Sequence, residues 1–152
     1  DKVGLVKALE EYGRVLITSE GALPAELQEY QVKISPEKMH DLLSYATLFF
    51  GDSPTMTTES AVLGTPAICV STWACECGNF KDLSSNYDLL YCFRDESVAL
   101  QKAFNLLNSK NIKFEWAVKR EKMLKDKIDV TAFMVDFIEK YHINHSRLDY
   151  GD

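Results

Sequence analysis

The chain has 152 residues, 46% of them hydrophobic and 26% charged, which suits one domain with a sizeable core and excludes a disordered chain. The formal net charge is −6, and the bases Lys119, Arg120, Lys122, Lys125 and Lys127 are interleaved with acids, so no nucleic-acid partner is expected. No apolar run approaches the roughly twenty residues of a membrane-spanning helix, so no transmembrane segment is expected either.

Residues Lys2 to Tyr12 read as an amphipathic helix with Val3, Val6 and Leu9 on one side, ended by Gly13. The chain starts on Asp1 and enters this helix almost at once, which predicts the C-terminal half of a longer chain. Val15–Leu16–Ile17 reads as a buried strand, Ser19–Glu20–Gly21 as the turn after it, Leu23 to Gln28 as a short helix and Gln31 to Ile34 as a short strand. Ser35–Pro36 then opens a helix with Met39, Leu42, Leu43 and Ala46 inward.

The most informative stretch runs from Phe49 to Ile68. Leu48, Phe49 and Phe50 suit a strand buried on both faces. Gly51 and Asp52 break it, Ser53 occupies an N-cap position and Pro54 the first helical position, where a missing N–H costs nothing. Gly64 stops the helix, Pro66 prevents its continuation, and Ala67 to Val70 form the next strand. Beyond a loop from Ser71 to Gly78 follow a short helix over Asn79 to Ser85 and a strand over Leu89 to Phe93. A helix from Asp95 to about Asn108 has Val98, Phe104 and Leu107 inward, and another covers Ile112 to Lys127. A last helix, capped by Asp129, runs through Tyr141. Its apolar face comprises Val130, Phe133, Met134, Phe137 and Ile138, and a tail follows over 142–152. Strands alternating with helices predict an α/β domain over 1–141: a Rossmann-like parallel sheet of about five or six strands with helices on both faces.

Cys69 and Cys92 fall within predicted strands and read as small core hydrophobes, while Cys75 and Cys77 form a lone C-x-C in a loop. His40, His142 and His145 lie far from them in sequence. Four reduced thiols, no metal and a cytoplasmic protein are expected.

In a parallel sheet the turns after successive strands share one edge, where ligands bind. Here they carry Ser19–Glu20–Gly21, Ser35–Pro36, Asp52–Ser53–Pro54–Thr55 and Ser71–Thr72–Trp73. The sharpest is the third. The N–H groups of Thr55 and Met56, with the hydroxyls of Ser53, Thr55 and Thr57, suit a phosphate or diphosphate at a helix N-terminus. Glu59 lies on the same helix face as Thr55, roughly 6 Å further along the axis. A carboxylate there repels phosphate but accepts hydrogen bonds from two neighbouring hydroxyls, as on a ribose. Trp73 reads as a hydrophobic lid or domain contact, and His40 as a solvated or packed histidine.

The segment from Ser35 to Ile68 resembles the C-terminal half of the two-domain glycosyltransferase fold called GT-B. It is similar to the stretch of UDP-N-acetylglucosamine 2-epimerases in which Asp-Ser-Gly-Gly ends a strand, followed by a helix with Glu and then Gly-x-Pro. Asp52–Ser53, Glu59 and Gly64–Thr65–Pro66 match in order, while Pro54–Thr55 replace the two glycines. It also resembles an uncharacterised archaeal and bacterial family placed near these enzymes. The resemblance implies that Ser53, Thr55 and Met56 contact the diphosphate of a nucleotide-sugar, UDP-linked, that Glu59 holds the ribose, and that Ile34 to Met39 receive the base.

These readings together lead to the donor-binding domain of a GT-B-like glycosyltransferase, inactive by itself. Its partners are a nucleotide-sugar, the absent N-terminal domain of the same chain and, optionally, a second copy in a homodimer. No resident cofactor is implied, and no catalytic residue is assigned to this half. Half of a UDP-sugar 2-epimerase and a non-catalytic phosphate-binding module are the alternatives; loss of both glycines counts against the epimerase.

Overall fold

The structure, a computed structural model, describes residues 2–145. It divides into two compact units, Asp1–Arg120 and Glu121–Asp152. The first contains α1 (Lys2–Glu10), 3-10 turns at Ala25–Tyr30 and Pro36–Lys38, α2 (Met39–Tyr45), β1 (Phe49–Gly51), α3 (Pro54–Leu63) and β2 (Ala67–Val70). A 3-10 turn at Ala74–Glu76, α4 (Gly78–Ser85), β3 (Leu90–Phe93), α5 (Glu96–Leu107) and the first part of α6 (Ile112–Asp126) complete it.

The sheet has three parallel strands in the order β1–β2–β3, with Phe49 opposite Ala67 and Cys69 opposite Cys92. Ala67, Ile68 and Cys69 point to alternate faces of the sheet, yet all three are fully buried, so β2 is covered on both sides. One group of helices consists of α3 packed beside α2 and α4 against β1 and β2, while α5 packs on β2 and β3. The architecture is therefore α/β with a parallel sheet.

Among the described residues the expected five or six strands reduce to three. Val15–Leu16–Ile17 and Gln31–Ile34 meet only at an isolated parallel bridge, Ile17 with Gln31, in which the Ile17 N–H donates to the Tyr30 carbonyl (2.8 Å) and the Val32 N–H to the Ile17 carbonyl (2.9 Å). Leu16 is exposed, so this run does not form the two-sided core strand that its composition suggests. The inner face of α5 also differs from the expected one. Ala99, Ala103 and Leu106 are buried, whereas Val98 is half-exposed and Phe104 stacks on Tyr12 with 5.4 Å between centroids. Small side chains on that face let the helix lie close to the strands.

The start of α6 ties other elements together by their C-terminal ends. Lys113 Nζ donates to the carbonyls of Ser44 and Ala46, where α2 ends, and Arg120 Nε donates to the carbonyl of Val62 near the end of α3 (2.8 Å). Such terminal carbonyls lack intrahelical partners and carry the negative end of the helix dipole, so two cations are well placed there. Between them Trp116, almost fully buried, donates from Nε1 to the Leu89 carbonyl at 2.8 Å.

Gly64 ends α3 in the left-handed region, φ 87°, and a Cβ there would sit 2.8 Å from Arg120 Cδ. Gly64→Ala is expected to cost about 1–2 kcal/mol, because the φ is unfavourable for an L side chain and Arg120 must shift from Val62. A fall in the urea midpoint followed by circular dichroism checks this.

Asp95 caps α5 by accepting from the Ser97 and Val98 amides, 2.8 and 3.1 Å. The Ser97 hydroxyl, with those two amides, holds its carboxyl below the usual range. A carboxyl whose folded pKa is depressed stabilises the fold above its unfolded pKa and loses that contribution as the pH falls through the folded value. Asp95→Asn keeps a capping oxygen but not the titration. Its melting temperature is therefore expected to fall less than wild type's between pH 6 and pH 3, and equal falls would contradict this.

In the second unit α7 (Val130–His145) is capped by Asp129, which accepts from the Ala132 N–H at 2.9 Å. Phe133, Phe137 and Tyr141 stack along it with centroid separations of 6.3 and 6.1 Å. The helix passes Tyr141, where the sequence predicts its end; the rest of the expected tail lies outside the described residues. Among the described residues no helix is long and apolar enough to cross a membrane.

Candidate functional site

The turn between β1 and α3 forms as its residues dictate. Ser53 is extended at φ −87°, its Oγ accepts from the Met56 N–H at 3.4 Å, and Pro54 begins the helix. The Ser53 carbonyl accepts from the Thr57 N–H at 3.0 Å and from the Thr57 hydroxyl at 2.7 Å. Thr57 is fully buried. Its hydroxyl therefore serves the helix start rather than an anion, which corrects its expected place among the ligand-facing groups. Thr57 and Asp52 both lie near the Cys69 thiol, which burial pushes up.

The amide of Met56 is engaged as well, through a bond near the limit of hydrogen-bonding distance. What the turn presents outward is narrower than the sequence suggests. It comprises the Thr55 N–H and exposed hydroxyl, the Ser53 hydroxyl as a donor, and the positive end of α3.

Glu59, partly exposed, meets His40 on α2, with Oε2 3.4 Å from Nε2. His40 is the second residue of α2 and Glu59 the sixth of α3, so the pair joins the two neighbouring helices. Sequence reasoning missed this partner, because nothing in the spacing of His40 and Glu59 sets two helices side by side. Met39, beside His40, is half-buried.

Of the four turns expected on one sheet edge, Ser19–Glu20–Gly21 and Ser35–Pro36 do not follow strands of the sheet, because the runs before them meet only at the Ile17–Gln31 bridge. The Thr18 hydroxyl lies 3.9 Å from Met56 Sδ, linking the segment after Ile17 to the start of α3. Beyond it Glu20 and Gly21 are exposed, and the Ser19 hydroxyl donates to the Gly21 carbonyl at 3.0 Å. Ser35 makes no capping bond to the 3-10 turn it precedes; instead its side chain hydrogen-bonds Glu37 and lowers that carboxyl's pKa. Pro36 is exposed. On the other flank, Ser71 Oγ accepts from the Trp73 and Ala74 amides at 3.4 and 3.2 Å, and Trp73 is exposed. Asn79 Nδ2 donates to Thr58 Oγ1 at 3.3 Å, bringing the start of α4 against α3.

The matched Gly64–Thr65–Pro66 is structural. Thr65 is fully buried, and its hydroxyl donates to the Leu43 carbonyl at 2.8 Å, fastening α2 to the turn before β2.

Cysteine chemistry differs from expectation. Cys75 and Cys92 form a disulfide, so Cys92 is not a simple core hydrophobe and the four cysteines are not all reduced. Cys69 and Cys77 are free. Among the described residues, no group of three or more His, Cys, Asp or Glu is placed to hold a metal.

A separate concavity of Glu10, Arg14, Glu29, Tyr30 and Gln31 opens beside the Ile17–Gln31 bridge. Its two carboxylates offset its one arginine, and Glu10 holds the Tyr30 phenol in its protonated form. That lining suits an anion less well than the start of α3. Comparison with protein-family models, curated proteins and solved structures finds no match for this chain.

Proposed function

We propose that the edge between α2 and α3 binds a nucleotide-diphosphate-sugar, UDP-linked, and that the chain is the donor-binding half of a GT-B-like glycosyltransferase. The observation that carries this reading is one helix start. Ser53 and Thr55 present an amide, two hydroxyls and a helix dipole, and Glu59 waits one turn further along the same helix. The diphosphate would take hydrogen bonds from the Thr55 N–H and the two hydroxyls. It would displace the long Met56–Ser53 bond and recruit that amide as well, at little cost for so weak a bond.

Glu59 would exchange its solvent-exposed contact with His40 for the two ribose hydroxyls. An exposed contact of this kind contributes at most about 1 kcal/mol, so the exchange would cost little. The base would lie along Ser35, Pro36 and Met39. In this scheme the helix dipole and donors take up the charge of the leaving diphosphate. Acceptor binding and proton transfer belong to an N-terminal domain of the same chain.

The test is calorimetric titration of the chain with UDP and with a UDP-sugar. Millimolar or tighter binding is expected, without turnover. Absence of heat and of any thermal shift at millimolar ligand would remove the reading.

A further inference from the structure

The loop after β2 contains a covalent bond that nucleotide binding does not use. Cys75, in the 3-10 turn Ala74–Glu76, is bonded to Cys92 in β3 across 17 residues of sequence. Both cysteines are only partly buried, as is the free thiol of Cys77, whereas Cys69, opposite Cys92 in the sheet, is fully buried. A disulfide enclosed in a core is shielded from attack by a thiolate; one at a half-open sheet edge is accessible.

The other ties on this segment are weaker. Ser71 donates its N–H to the Phe93 carbonyl at 2.9 Å. The Glu76 carboxylate pairs with Arg94 and Lys81, each at 3.0 Å, but all three side chains are well exposed, and such pairs add little. The segment also reaches α3, because Asn79 donates to Thr58 in the middle of that helix. Ala74, fully buried, adds a small apolar anchor; the disulfide is the covalent fastening of residues 71–79 to the sheet, and it is reachable from solvent.

We propose that the Cys75–Cys92 bond is a reversible redox clamp that fixes residues 71–79 to the edge strand β3 and releases them on reduction by a dithiol. A thiolate of the dithiol attacks one sulfur of the pair, forming a mixed disulfide and expelling the other cysteine as a thiolate, which takes a proton. The second thiol of the reductant attacks the mixed disulfide, leaves as a cyclic disulfide and frees the remaining cysteine. Two electrons and two protons end on Cys75 and Cys92, and the dithiol is oxidised to its disulfide. With the bond open, the segment is held by its backbone bonds, the small buried side chain of Ala74 and the exposed Glu76 pairs, and the Asn79–Thr58 contact loosens.

The test needs no nucleotide, so its outcome is independent of the function proposed above. Hydrogen exchange by mass spectrometry compares the 152-residue chain before and after native treatment with millimolar dithiothreitol, with alkylation to identify the reduced cysteines. Cys75 and Cys92 are expected to become alkylated, and amides in residues 71–79 to exchange about tenfold faster or more, while β2 and α5 keep their protection. Cys75→Ser and Cys92→Ser should show the fast exchange without dithiothreitol and no response to it; Cys77→Ser should respond like wild type. Should the serine variants fail to fold, the wild-type pair of measurements decides alone. The proposal is overturned if the bond opens only on denaturation, if it opens with exchange changed by less than about twofold, or if reduction removes protection from the whole unit together.

Discussion

Replacing Trp116 with alanine should cost the Asp1–Arg120 unit about 3–5 kcal/mol, the range for truncating a large buried aromatic. Three contacts are lost together. The ring is 1% exposed and packs at a tilt against Tyr91, its Nε1 satisfies the buried Leu89 carbonyl, and Lys119 lies over its face at 3.7 Å. Leu89 precedes β3, so this one side chain fixes α6 to the strand at the sheet's edge. Trp116→Phe separates the contributions. It keeps most of the apolar area but leaves the carbonyl without its donor, and should cost about 1–3 kcal/mol. Urea unfolding followed by circular dichroism measures both. A cost under about 1 kcal/mol for alanine would mean that α6 is not held against the sheet as described.

The second large effect concerns ligand affinity. On the proposed reading Glu59→Ala should weaken UDP binding about 10- to 100-fold, since it would remove the carboxylate that accepts from the ribose hydroxyls, a loss of about 1.5–3 kcal/mol. Thr55→Ala should weaken it less, because the Thr55 amide remains. Neither change should unfold the domain. Thr55 is exposed, and Glu59 loses only its partly exposed pairing with His40. Calorimetry with circular dichroism on the same samples distinguishes lost binding from lost fold. Unchanged affinity in Glu59→Ala would remove Glu59 from the site and leave at most an anion subsite at the Ser53 turn.

Much of the backbone was legible because its signals are local. Ser53–Pro54 marks the start of α3, Gly64 its left-handed end and Asp129 the cap of α7, each through chemistry spanning only a few residues. The three strands that pair, β1 to β3, are short apolar runs joined by helical crossovers, and they were found. Val15–Leu16–Ile17 carries the same apolar signal, but whether a run joins a sheet depends on a partner far away in sequence, and here that partner is a single bridge. On α5, bulky Val98, Phe104 and Leu107 looked more core-like than Ala99 and Ala103. Close packing of helix on strand favoured the small residues instead.

The site was less legible than the fold. The position of Ser53, Thr55 and Glu59 on one helix followed from spacing. The inward turn of Thr57 did not, because a threonine hydroxyl in a first turn can serve either a ligand or the backbone behind it. The Glu59–His40 pair and the Cys75–Cys92 bond each join residues that only the tertiary fold brings together. Four cysteines admit several pairings, so neither the bond nor its place on the edge strand β3 could be read from spacing.

The most direct check on the central claim is a proton–nitrogen correlation titration of the labelled chain with UDP. The account predicts that the largest amide shifts fall at Thr55 and Met56, with smaller ones at Glu59 and near His40, and that inorganic diphosphate reproduces the first pair without the second. No shifts at millimolar UDP, or shifts gathered around Glu10, Arg14 and Tyr30 instead, would contradict it.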